Sequence, residues 1–170
     1  MARIDGDVLP RRLPARLWLV PVASTIAGSA IGLLPVIASA PMLPSFGLLM
    51  ALAWRILRPE MWPAWVALPL GMVDDLINGA PLGTAGTLWT IAFLGLDFAD
   101  GRPMWRDYWL DWGLASLAIL FCGLGDWAIS GFVGGAARFA TWMPLAGVSV
   151  ILFPAAVWLT ARLDRWRLRR

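Results

Sequence analysis

The chain has no histidine and no lysine, and only one cysteine in 170 residues. The missing histidine removes the commonest general base and metal ligand. Cys122 has no second thiol to pair with and no partner ligand, so inside its apolar run it reads as a small buried hydrophobe. The missing lysine carries no functional meaning, because arginine sets membrane topology equally well. Charge is scarce as well: 15% of residues are charged against 59% hydrophobic, and mean hydropathy is +0.70. A soluble domain of this size has too little polar surface to cover so much apolar surface, and the composition predicts a membrane protein. Net charge is +3 with a pI near 10.4, yet the arginines are scattered over short segments. That distribution argues against a nucleic-acid partner and for anionic lipid headgroups. Metal constellations, nucleophile–base pairs, phosphate-cradling loops and cofactor motifs are all lacking, so no cofactor and no enzymatic activity are expected.

What is present is a series of uncharged stretches punctuated by arginine, proline and aspartate. The stretch from Leu17 to Trp54 is too long for one helix, and Pro41 and Pro44 divide it. The fold class read from this pattern is an all-α integral membrane protein forming one bundle and one polytopic domain, residues 1–170. Six spans are expected at about 17–37, 45–57, 62–78, 82–96, 108–130 and 142–161, several of them near the lower limit for crossing a bilayer. A cytoplasmic segment, 1–16, precedes them and a cytoplasmic basic tail, 162–170, follows. With the N-terminus inside, Arg3, Arg11, Arg12, Arg16, Arg55, Arg58, Arg102, Arg106, Arg162, Arg165, Arg167, Arg169 and Arg170 all fall in the cytoplasm. Only Arg138 is left outside, as the positive-inside rule prefers. Trp18, Trp54, Trp62, Trp105, Trp109 and Trp166 gather at the cytoplasmic span ends, where indoles favour the interface; the alternative is that tryptophan, with twelve copies, is merely abundant. The arginine-rich start, the apolar run and Ala38-Ser39-Ala40 imitate a signal peptide. The run is longer than the usual apolar region of about 7–15 residues, and Pro41 would follow the scissile bond, so a retained span is expected.

Acidic residues mark the outer side. Asp74 and Asp75 lie roughly 5–6 Å from the end of their helix, a depth much less costly than the bilayer centre. Adjacent helix positions point about 100° apart, so one of the two is expected to face the bundle and the other to be expendable. Asp126 lies at similar depth, and an outer cluster of Arg138 with these aspartates is the natural pairing; separate solvated charges are the alternative. Gly79-Ala80-Pro81-Leu82-Gly83 reads as a tight outer turn, either a rigid corner presented to a partner or a turn needed only for folding. Ser24, Gly28 and Gly32 recur at spacing four, as do Gly131 and Gly135. Such faces let another backbone approach, within the bundle in preference to a partner's helix.

The stretch RPEMWPAWVALPLGMVDDLINGAPLGTAGTLW, Arg58 to Trp89, resembles the rod shape-determining protein MreD family. The likeness rests on a basic N-terminus, a proline-marked first loop, the Arg58-Pro59 turn, then Gly71, Asp74 or Asp75, Gly79, Pro81, Leu82 and Gly83 in order, with length and topology agreeing. From Arg102 onward the match is by topology alone. The resemblance implies a non-enzymatic subunit of the bacterial inner membrane that serves cell elongation and peptidoglycan synthesis. Its implied partners are MreC most directly, then MreB, RodA and a penicillin-binding transpeptidase. Two other classes stand beside it. Gly123-Leu124-Gly125-Asp126 spells the GxGD signature that resembles intramembrane aspartyl proteases, whose chemistry needs a second carboxylate such as Asp74 or Asp75. Isolated acids and glycine-interrupted helices also suit a substrate-binding subunit of a small-solute transporter.

Overall fold

The computed structural model describes residues 16–33, 44–100, 108–132 and 139–168. Among them every regular element is helical: α1 (Arg16–Ile31), α2 (Phe46–Leu57), α3 (Ala67–Asn78), α4 (Thr84–Asp100), α5 (Tyr108–Phe132) and α6 (Phe139–Leu168). The helix ends follow local chemistry. Ser45 caps α2, its hydroxyl accepting the Leu48 amide at 3.4 Å. Pro59 opens a short 3-10 turn, Pro59–Met61, where its missing N–H is no loss. A second 3-10 turn, Ala64–Val66, leads into α3. Gly79 closes α3 with φ 67°, a left-handed conformation that glycine alone adopts without strain.

Six helices stand where six apolar spans are expected, with different ends. The expected third span, 62–78, is helical in the α sense only from Ala67, because Pro59 and Pro63 break the approach into 3-10 turns. The fourth runs on past Leu96 to Asp100, since the two aspartates of its last turn meet a buried arginine. The basic tail expected from 162 is instead the end of α6, which continues to Leu168 with Asp164 and Arg167 buried. Residues 34–37 of the first expected span lie outside the described residues.

The helices alternate in direction. Gly28 near the end of α1 meets Phe46 at the start of α2, and the Gly79–Gly83 turn folds α4 back on α3, where Gly71 meets Gly86. Trp112 near the start of α5 donates from Nε1 to the Val150 carbonyl of α6 at 3.3 Å. Each of the other five helices packs on α2, and those five pack on one another in the closed order α1, α3, α4, α5, α6 and back to α1. α2 is therefore the hub of a five-helix ring. Its residues Gly47 to Arg55 are buried without a break, so no face of it is free for solvent or lipid.

Around the ring the exterior is apolar, and charged residues are among those buried inside the hydrophobic core. Ile151 is 75% exposed and Leu76 and Phe98 are 67% exposed, while Arg55 is 3%, Asp75 1% and Thr160 0% exposed. A large apolar exterior with charged groups drawn inside is what a hydrocarbon surrounding favours. Two helices, Tyr108–Phe132 and the Met143–Leu168 part of α6, are long and apolar enough to cross a membrane, and only 22% and 28% of their most apolar windows are buried. A soluble core helix of that composition would be mostly covered. By contrast α2 and α3, at 12 residues each, measure about 18 Å against a hydrocarbon core of about 30 Å.

Candidate functional site

Two polar assemblies occupy opposite ends of the bundle. At the end where α1, α3 and α5 finish, a cleft of about 590 Å³ opens, lined in part by Ser29, Ser45, Asp74, Asp75, Asn78 and Asp126. Asp75 is 1% exposed and serves as the cap of another helix. Its carboxylate accepts the Gly83 amide at 2.9 Å and the Ala85 amide at 2.9 and 3.2 Å, two of the donors that the start of α4 leaves without carbonyl partners. The Gly79–Gly83 turn is pinned from below by this carboxylate. It is closed from within by Ala80 N–H to the Asp75 carbonyl, 3.0 Å, and Thr84 N–H to the Pro81 carbonyl, 3.1 Å. Gly83, at φ 93°, takes the second left-handed position. Pro81 and Leu82 are left at the surface, Leu82 66% exposed.

Asp74 is 8% exposed, so both members of the acidic pair are buried and neither is the outward-facing, expendable one that helix geometry suggested. Close packing explains the difference. α3 is covered on one side by α4 and on another by α1, so directions about 100° apart both meet protein. Asp74 and Ser29 flank Gly47 of the hub helix, and the Asp74 Oδ1 atom is buried with no hydrogen-bond partner. Asn78 donates from Nδ2 to the Asp74 backbone carbonyl at 3.1 Å. Asp126 stands exposed at the cleft. The three aspartates thus share one cleft; Arg138, their expected counter-charge, lies outside the described residues, as does Gly135.

At the other end, where α2, α4 and α6 finish, the charges are paired. Arg55 Nη2 donates to Asp97 and, at 2.9 Å, to Asp100 of α4. Arg58, the C-cap of α2, donates to Asp164 of α6 from Nη2 at 2.8 Å, and that hydrogen bond with the Asp164 charge raises its already high pKa further. Arg167 binds the second Asp164 oxygen, Nε to Oδ1 at 2.7 Å, and stacks its guanidinium 5.0 Å from the centre of the Trp54 ring. The network sews α2, α4 and α6 together at one end.

Arginines counted for topology therefore do structural work too. The sequence places Arg55 and Arg167 on the cytoplasmic side by the positive-inside rule and assigns them no partners, and Asp97, Asp100 and Asp164 no role. The available signal was spacing: Asp97 with Asp100, and Asp164 with Arg167, are three apart and share a helix face at the same end as Arg55. Trp54 and Trp62 are also not interfacial. Both are 0% exposed, Trp62 packing edge-on against Phe93 at 6.5 Å; Trp109 and Trp166 are exposed as expected, and Trp105 lies outside the described residues. Gly71 falls at a close backbone crossing, where an added Cβ would lie 2.5 Å from the Gly86 Cα and backbone N. Ser24, Gly28 and Gly32 face inward: Ser24 accepts the Trp54 indole N–H at 2.8 Å, Gly28 abuts Phe46 and Gly32 abuts Asn78. Cys122 is buried and free. Among the described residues no group of three histidine, cysteine, aspartate or glutamate side chains is placed to hold a metal ion. Compared with protein-family models, curated proteins and solved structures, the chain matches none.

Proposed function

We propose that the chain is a non-enzymatic scaffold subunit of the bacterial cell-elongation machinery, of the kind the MreD family comprises. In this reading it is a multi-pass protein of the inner membrane with six spans, both ends in the cytoplasm, and the arginine network at the cytoplasmic end. It binds MreC and links through it to MreB, RodA and a penicillin-binding transpeptidase. One observation carries the reading. The residues that resemble the family, Arg58 to Gly83, are not scattered: Gly71, Asp75, Gly79, Pro81, Leu82 and Gly83 build a single locked hairpin of α3 and α4. Its corner offers Leu82 to the outside. A turn held by partly buried charge-assisted hydrogen bonds is a preorganised surface, and preorganisation lowers the ordering cost of binding a partner.

The deciding experiment is co-purification of the tagged full chain from mild detergent. MreC is expected in the eluate, and Leu82→Asp should cut its recovery about tenfold, the effect of losing one good interface contact, with helicity unchanged. Absence of MreC with the unaltered chain sinks the reading.

A second reading, an intramembrane aspartyl protease, draws on Asp126 and the Asp74–Asp75 pair lining one cleft. Asp126→Asn separates the two: a scaffold retains MreC recovery, whereas a protease loses its cleavage product because an amide is neither acid nor base.

A further inference from the structure

The ring of five helices is loosest where α6 returns to α1: each packs closely on α2, and the two touch each other little. A furrow of about 410 Å³ follows that seam, walled by Ala27, Gly28 and Ile31 of α1 and by Ala155, Leu159 and Leu163 of α6. Buried Leu49 and Met50 of the hub close its floor. Its chemistry disfavours a polar occupant. Ser24, the one polar side chain on the described lining, is already engaged: its hydroxyl donates to the Pro21 carbonyl at 2.9 Å and accepts the Trp54 indole N–H at 2.8 Å. A polar ligand entering there would lose its water without replacement.

Shape narrows the occupant further. The lining runs along α6 from Leu152 to Leu163, a length of about 16 Å at the helical rise. That matches the hydrocarbon depth of one leaflet, half of a core about 30 Å thick. Spread over that length, the volume gives a cross-section of about 25 Å². A partner's helix, about 10 Å across, needs about three times as much. A single methylene chain, whose carbons pack about 4 Å from their neighbours, fits. Charge then supplies the headgroup. The stripe of α6 that carries Ala155 and Leu159 continues at helical spacing to Arg162 and Trp166. Arg162 is exposed, its guanidinium 5.6 Å from the centre of the Trp158 ring, and Arg165 is exposed a turn further on. Trp158 and Trp166, both exposed, stand four residues either side of Arg162. Indoles and arginines at a span end sit at the level of lipid headgroups, and a guanidinium fork matches a phosphate. We propose that this furrow is a binding site for an anionic phospholipid, with one acyl chain between α1 and α6 and its phosphate on Arg162. The proposal rests on the membrane placement in the reading above and not on which proteins the hairpin binds.

The test is photolabelling of the purified full chain in maltoside micelles with a phosphatidylglycerol that carries a diazirine midway along one acyl chain, the labelled peptides being mapped by mass spectrometry. Saturable labelling is expected on the α1 and α6 peptides that wall the furrow. Unlabelled dioleoyl phosphatidylglycerol should compete at least about tenfold better than dioleoyl phosphatidylcholine, which has the same chains and no net charge. Ala155→Trp fills the furrow from an exposed position and should abolish the labelling, and Ala27→Trp should do so from the facing wall. Ile151→Trp, exposed on α6 outside the furrow, should leave it unchanged. Arg162→Gln should bring phosphatidylglycerol down to the level of phosphatidylcholine. If one tryptophan variant loses helicity, the other carries the comparison with the surface variant Arg162→Gln. Labelling that is absent, unsaturable, indifferent to the tryptophans or equally competed by phosphatidylcholine overturns the proposal. So does a crosslink between two chains through α1 and α6, which gives the furrow to a second copy. Topology fusions and MreC recovery are scored separately, so failure of the membrane placement, of the scaffold reading and of the lipid site are distinguishable.

Discussion

Replacing Asp75 by alanine removes the acceptor of the Gly83 and Ala85 amides at the start of α4. Hydrogen bonds to a charged group are worth about 1.5–3 kcal/mol each, and because these two are only partly buried the lower figure applies, giving a loss of about 3 kcal/mol. Asparagine keeps one acceptor oxygen and loses the charge, so Asp75→Asn should fall near half of that. Asp74 predicts the opposite sign. Its Oδ1 has no donor, so Asp74→Asn removes a carboxylate whose charged form burial disfavours and should be neutral or stabilising. Reversible unfolding in mixed detergent micelles, followed by helicity, measures all three. The reasoning is refuted if Asp75→Ala lies within about 0.5 kcal/mol of the parent, the ordinary range for inconsequential surface changes, or if Asp74→Asn is the more damaging of the pair.

The remaining expectations concern the frame of the bundle. At the arginine end, removing both Asp97 and Asp100 strands the buried Arg55 guanidinium and should cost about 3–5 kcal/mol. Arg55→Met leaves only partly exposed carboxylates and should cost less; the reverse order in the same unfolding assay would show that Arg55 is not the desolvated partner. Gly71→Ala drives a methyl group against the α4 backbone and should cost about 1–3 kcal/mol. Gly95→Ala, with nothing within 4 Å of the added Cβ, should be neutral or stabilising by less than about 1 kcal/mol; equal effects at the two sites would refute the close crossing. Reporter fusions after Arg58, Arg106 and Arg170 should read cytoplasm, and fusions after Met42, Gly83 and Gly135 periplasm. A periplasmic signal at Arg58 would end the six-span topology.

Composition and proline placement determined much of this without coordinates: helices only, their number, and their approximate limits. An apolar chain must satisfy its backbone internally once water is excluded, and helices do so locally, segment by segment. The Gly79–Gly83 corner was legible for the same reason, since left-handed glycines and a proline act within a few residues of themselves. What the sequence by itself did not decide is everything set by which helix stands beside which. That α2 is the hub, that Arg55 within it must find Asp97 and Asp100, that Asp164 holds two arginines, and that Asp74 and Asp75 are both enclosed depend on contacts between residues far apart in the chain, 106 positions for Arg58 and Asp164. No local rule ranks one apolar helix as more central than another. The cleft belongs to the same class. Asp74, Asp75 and Asp126 are ordinary span-end charges in sequence, and only the packing of α1, α3 and α5 around the start of α2 turns one of them into a cap and encloses another against Gly47 and Ser29.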